Sequence, residues 1–134
     1  MTLSVNAILL YAIVGAVVLT YVPFLVVGFA RAKTGYDMSA PRAMFDKLPP
    51  YAQRATWAHQ NCFEALIIFS AAALMAYVTG VESNWASIAA IAFLVSRLFY
   101  SVFYILDIPL ARSLMFGIGS IASYTLFGLS LLQV

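Results

Sequence analysis

The sequence predicts an all-α fold, an integral membrane bundle of four helices, and three observations predict it. Of the 134 residues, 64% are hydrophobic and 9% charged, against about half and about a quarter in an average soluble domain. The apolar residues fall into four runs, each near the roughly 20 residues needed to cross a bilayer. The charges gather in one connection instead of spreading over a surface. Four spans leave no length for a separate soluble domain, so residues 1–134 read as one transmembrane domain.

The first helix is expected at about 5–30. The N-terminal MTLSVNAILL has no basic segment before its apolar run, and the run is much longer than a signal-peptide core. It therefore reads as a helix kept in the mature protein. Pro23, near its inner end, is expected to kink it, which membrane helices tolerate. Residues 31–50, RAKTGYDMSAPRAMFDKLPP, follow as a polar loop with Arg31, Lys33, Arg42, Lys47, Asp37 and Asp46, closed by Pro49-Pro50.

The second helix is expected at about 52–79, polar in its first half, and a tight turn at Gly80 leads to a third at about 84–106. A short turn at Asp107, Ile108 and Pro109 precedes the fourth, at about 110–133. The first loop carries four Lys/Arg, with Arg54 just beyond it, whereas the second loop and both termini carry none. The positive-inside rule then places the first loop and the 3–4 turn in the cytoplasm and both termini outside. The net charge of +2 is too small and too localised to call for a nucleic-acid partner. The lone Cys62 implies no disulfide. With one histidine and no carboxylate set beside it, no metal site is expected.

Residues 54–65, RATWAHQNCFEA, put unusual polarity into a membrane helix. At about 100° per residue, Arg54, Trp57, Asn61 and Glu64 share one face, with Gln60 at its edge and His59 elsewhere. On the third helix Arg97, Tyr100, Ser101 and Tyr104 form a second polar stripe. An ionisable residue at a helix centre costs about 2.5–3.5 kcal/mol on insertion scales and normally faces inward with a partner. Glu64 and Arg97 fall at similar depth, on the order of 10–15 Å below the cytoplasmic boundary, and are natural partners for a buried ion pair, within one chain or between chains. The same groups also suit plain helix–helix hydrogen bonding, and a pair that braces one wall of a site satisfies both readings. Arg31, Arg54 and Arg112 lie at the inner ends of helices 1, 2 and 4. Guanidinium forks there suit a carboxylate or phosphate, and they equally suit lipid headgroups.

Arg54-x-x-x-Ala58-His59-x-Asn61-x-x-Glu64 resembles the helix-2 signature of the MAPEG family, membrane-associated proteins in eicosanoid and glutathione metabolism. Arg97-x6-Tyr104, followed after a short turn by Arg112-Ser113, resembles that family's helix 3 to helix 4 segment. The resemblance covers essentially the whole chain. It implies a left-handed bundle assembled as a homotrimer, with cytoplasm-facing sites between subunits. It also implies glutathione as co-substrate of a transferase, peroxidase or isomerase acting on lipophilic small molecules.

By this resemblance Asn61 and Glu64 would hold glutathione's polar groups or the helices around it, and Arg54 would join them. Arg97 and Tyr104 would line the site. Arg31 would come from the end of helix 1, of the same or a neighbouring subunit, and Arg112 would stabilise the thiolate with Ser113 beside it. The chain looks most like the bacterial branch, which implies an inner membrane. Eukaryotic glutathione-using members often carry arginines where Trp57 and Gln60 stand, and some have tyrosine in place of Phe116. Those departures keep open a non-catalytic lipid-binding scaffold or an accessory subunit of a larger membrane complex. Four spans without a discontinuous helix pair argue against a transporter.

Overall fold

The computed structural model describes residues 2–134, and their regular structure is all helical. α1 spans Val5–Thr34, a 3₁₀ segment Pro41–Lys47, α2 Pro50–Val78, α3 Asn84–Ile105 and α4 Pro109–Leu131. All four long helices have the length and hydropathy to cross a membrane. The chain is an integral membrane protein in contact with the lipid bilayer.

Local chemistry sets the ends. Ser4 caps α1 by accepting from the Ala7 N–H at 3.2 Å, and Ser83 caps α3 by accepting from Trp85 at 3.2 Å. Pro50 is the first residue of α2 and Pro109 the first of α4, positions where the missing N–H costs nothing. The second and third connections close alike. Gly80 takes φ 72° while the Val81 N–H bonds the Ala76 carbonyl at 3.0 Å. Asp107 takes φ 60° while the Ile108 N–H bonds the Phe103 carbonyl at 2.9 Å. Both are Schellman turns, which want a residue in the left-handed region. Asp107 occupies that region without glycine's freedom.

The 31–50 connection is more ordered than its polarity suggests. α1 runs on to Thr34, and the 3₁₀ turn buries Met44 while Leu48 packs with Val27, Ala30, Ala52 and Ala55. The Gln53 side chain donates to the carbonyls of Phe45 at 3.2 Å and Leu48 at 3.3 Å, tying the loop to α2.

Around the bundle the order is α1, α2, α4, α3, with α2 and α3 also meeting across the middle. Phe69 and Phe93 stack at that crossing, 3.9 Å between centroids and 6° between planes. Leu9 and Leu126 are fully buried beside a stripe of alanines, Ala72, Ala73, Ala76, Ala86 and Ala90. With lipid as apolar as the side chains, association depends on close van der Waals contact, which small residues permit.

The same logic corrects one expectation. The polar face of α2 does not turn into the bundle: its inward face is Ala52, Ala55, Ala58 and Cys62. Trp57 is 43% exposed, and Glu64 is exposed as well. Alanines let the neighbouring helices come close, and the bulkier stripe is left at the edge, opening on a groove.

The turn at Asp107 generates a test. Asp107→Gly should hold or raise thermal stability in detergent. Asp107→Ile should lower it by about 1 kcal/mol, because a β-branched side chain is crowded in the left-handed region that Asp tolerates.

Candidate functional site

The i, i+3, i+7 spacing of Arg97, Tyr100 and Tyr104 lines α3 opposite Asn61 and Glu64 of α2. Arg97 is 4% exposed. Its Nη2 donates to Asn61 Oδ1 at 2.9 Å and lies 3.4 Å from Cys62 Sγ, and its guanidinium carbon sits 4.0 Å from the Tyr100 ring centroid. Asn61 Nδ2 in turn donates to Glu64 Oε2 at 3.1 Å. Glu64 and Arg97 are therefore joined through Asn61 and do not form a direct ion pair within the chain. Asn61, three residues before Glu64, occupies the nearer position on the shared face, and its amide can accept from one partner while donating to the other. Buried Nε of Arg97 has no partner among the described residues.

Toward the end that carries the 31–50 loop, the basic end, the stripe becomes aromatic. Tyr100 and Tyr104 meet edge to face at 5.6 Å. Arg112, at the start of α4, holds its guanidinium 4.6 Å from the Tyr104 ring centroid. Trp57 lies 6.5 Å from Tyr104 and 5.5 Å from Phe45 of the 3₁₀ turn. Ser113 follows Arg112 and is exposed on the single chain.

Arg54 has a different position from the rest. Its Nε and Nη2 donate to the carbonyl of Ile105 at 3.2 and 3.0 Å. That carbonyl is one of those a helix C-terminus leaves without an intrahelical partner. Arg54 thus pins α2 to the end of α3.

Two clefts and a pouch surround these groups. The first cleft, about 460 Å³, is lined by Trp57, Gln60, Asn61, Glu64, Tyr100 and Tyr104. A pouch of about 160 Å³ lies between α2, α3 and α4, where Asn61, Glu64 and Arg97 meet Phe93, Phe116, Ser120, Ser123 and Tyr124. Asn61 and Glu64 line both. The second cleft, about 610 Å³, lies on the α1 side of α2 and holds Arg31, Arg42, Thr56, His59 and Gln60 among Phe24, Phe45 and Phe63. The three arginines at the inner helix ends are thus divided: Arg54 and Arg112 adjoin the end of α3, and Arg31 lines the other side of α2. Arg31 lies 5.9 Å from the Phe24 ring centroid, and its Nε is buried without a partner among the described residues.

His59 is the residue that sequence reasoning did not place. Its Nδ1 donates to the Thr20 carbonyl at 2.6 Å, and its ring packs among Tyr21, Phe24 and Phe63 at 4.9–5.5 Å between centroids. A carbonyl only accepts, so Nδ1 carries a proton in this contact. One sequence signal bears on this contact: Pro23 lacks the N–H that an unbroken helix would offer the carbonyl next to that of Thr20.

Residues 8–132 match the family model of the MAPEG family. No curated protein and no solved structure gives a significant match.

The bridge through Asn61 orders a mutant series. Glu64→Gln keeps an acceptor for Asn61 and should change thermal stability by less than about 1 kcal/mol. Asn61→Leu strands the Arg97 donor and should cost about 1–3 kcal/mol. A direct ion pair would reverse that order.

Proposed function

As the chain belongs to the MAPEG family, we propose that it is a membrane-bound transferase or peroxidase that uses glutathione or another thiol against lipophilic electrophiles. The observation that carries this reading is the position of Arg112. Its guanidinium is held against Tyr104 beside a polar cleft, and that cleft shares Asn61 and Glu64 with a largely apolar pouch. A thiol sulfur at the first and a lipophilic carbon near the second would be brought within reach of each other.

The roles follow from chemistry. A thiol ionises near a pKa of about 8.5, and the thiolate is the nucleophile. The fixed cation of Arg112 lowers that pKa and raises the reactive fraction at neutral pH, with Ser113 beside it. Tyr104 positions the guanidinium. Asn61 and Glu64 bind the co-substrate's polar groups, and Arg97 acts through Asn61 as a positioning residue. Arg54 acts the same way by pinning α2 to α3. In transfer, the sulfur attacks the electrophilic carbon, a C–S bond forms and the leaving group departs with its electron pair. In peroxidase turnover, two thiols reduce a hydroperoxide to an alcohol and water and become a disulfide.

The exposed carboxylate supports a homotrimer. Glu64 facing lipid would be costly, and a neighbouring copy that covers the polar edge of α2 removes that cost. The α1 side of the neighbour would bring Arg31 to the cleft. The basic first loop supports a cytoplasmic site with both termini outside, as in a bacterial inner membrane. A non-catalytic scaffold or accessory subunit is the second reading. It is favoured by one observation: Trp57 and Gln60 leave the first cleft without a lining cation.

Conjugation of glutathione to a chlorodinitrobenzene by the purified protein tests the proposal. Arg112→Ala should lower kcat/KM about 100-fold or more while the oligomer keeps its size. Equal rates for Arg112→Ala and the parent would remove the assigned role. No turnover by the parent, with co-purification in a larger complex, would favour the scaffold.

A further inference from the structure

We infer that the first cleft selects a thiol carrying at most one carboxylate, with Trp57 and Gln60 as the residues that set this preference. The inference rests on the thiol-dependent reading above and names the class of co-substrate.

It follows from counting the cations free to meet an anion. The cleft lining offers one carboxylate, two amides and three aromatic rings, and no Lys or Arg. Two of the nearby guanidiniums are held outside this cleft. Arg54 directs two N–H groups at the Ile105 carbonyl. Arg97 is buried, with Nη2 on Asn61 and Cys62. Arg112 remains, half-buried over Tyr104, and the thiolate requires it. Arg31 and Arg42 line the second cleft, which meets the first at Gln60. A thiolate at Arg112 and one carboxylate that reaches past Gln60 are matched by these cations. A second carboxylate would lie against Trp57 and near Glu64, where it loses water, gains no charge-assisted donor and meets a like charge.

Trp57 is also fixed in place. Phe45 lies 5.5 Å from it on one side and Tyr104 6.5 Å on the other. The indole is nonetheless 43% exposed, and it is the wall Trp57 presents to the cleft. An uncharged group of the ligand, an ester, an amide or a ring, packs on such a face without desolvation of a charge. Gln60, exposed at the junction of the two clefts, offers hydrogen bonds and no charge.

Calorimetry on the full-length protein in detergent tests this with two probes, glutathione and its glycine monoethyl ester. They share the thiol and differ by one carboxylate. The parent should bind the ester at least as tightly as glutathione. Trp57→Arg and Gln60→Arg should each shift the ratio toward glutathione by about tenfold, one charge-assisted contact. Gln60 is exposed, so its variant stays informative if Trp57→Arg fails to fold. A parent that favours glutathione over the ester by tenfold or more overturns the inference. A ratio unmoved by either substitution also overturns it, while leaving the thiol reading intact. If neither probe binds the parent or any variant, the thiol reading itself fails and the inference falls with it.

Discussion

A guanidinium enclosed by membrane-spanning helices is the constraint on which the polar half of this protein depends. Arg97 is almost fully enclosed, so its charge has to be met largely by fixed groups. Asn61 supplies the acceptor, Cys62 a soft one, and the face of Tyr100 lies against the guanidinium. Room for the side chain comes from Gly119 on α4, where an added Cβ would meet Ser96 Oγ at 3.1 Å and Arg97 Cδ at 3.6 Å. One charge thereby fixes the spacing of α2, α3 and α4. Because Asn61 spends its acceptor on Arg97, its donors are left for Glu64, and the carboxylate is oriented at the edge of the bundle.

The two halves of the bundle are stabilised differently. Around Phe69 and Phe93, alanines and two fully buried leucines pack closely, and buried hydroxyls bond back to their own helices, as Ser130 does to Leu126 and Ser96 to Phe93. At the basic end, directional bonds take over: Arg54 to the end of α3, Gln53 to the loop, His59 to α1. Those bonds hold α2 as a rigid wall with a cleft on each side. A site built on such a wall gains its geometry from the scaffold, which is what pre-organised electrostatics require.

The four helices were legible because membrane spans announce themselves by length and hydropathy. Asn61, Glu64, Arg97 and Tyr104 were legible because polar groups at membrane depth are rare, and helical periodicity then groups them. That Glu64 and Arg97 meet through Asn61 within the chain was not legible, because depth and helical face do not say which of two neighbouring side chains is nearer. The bond from Arg54 to Ile105 depends on where α3 ends, and the contact of His59 with Thr20 depends on how α1 leans against α2. Neither is visible in a one-dimensional pattern. The ordered 31–50 segment was hidden for a similar reason. Met44 and Leu48 look like stray apolar residues in a polar loop until the fold gives them a surface to cover.

The claim at the centre of this account is that the fixed cation of Arg112 turns a bound thiol into a thiolate. The most direct measurement is the ultraviolet thiolate band of glutathione, or of its monoester, titrated with pH in the presence of the purified protein. The account predicts a thiol pKa well below the free value of about 8.5, with thiolate present at neutral pH and lost in Arg112→Ala. A bound thiol that ionises as it does in water, with or without Arg112, would contradict it.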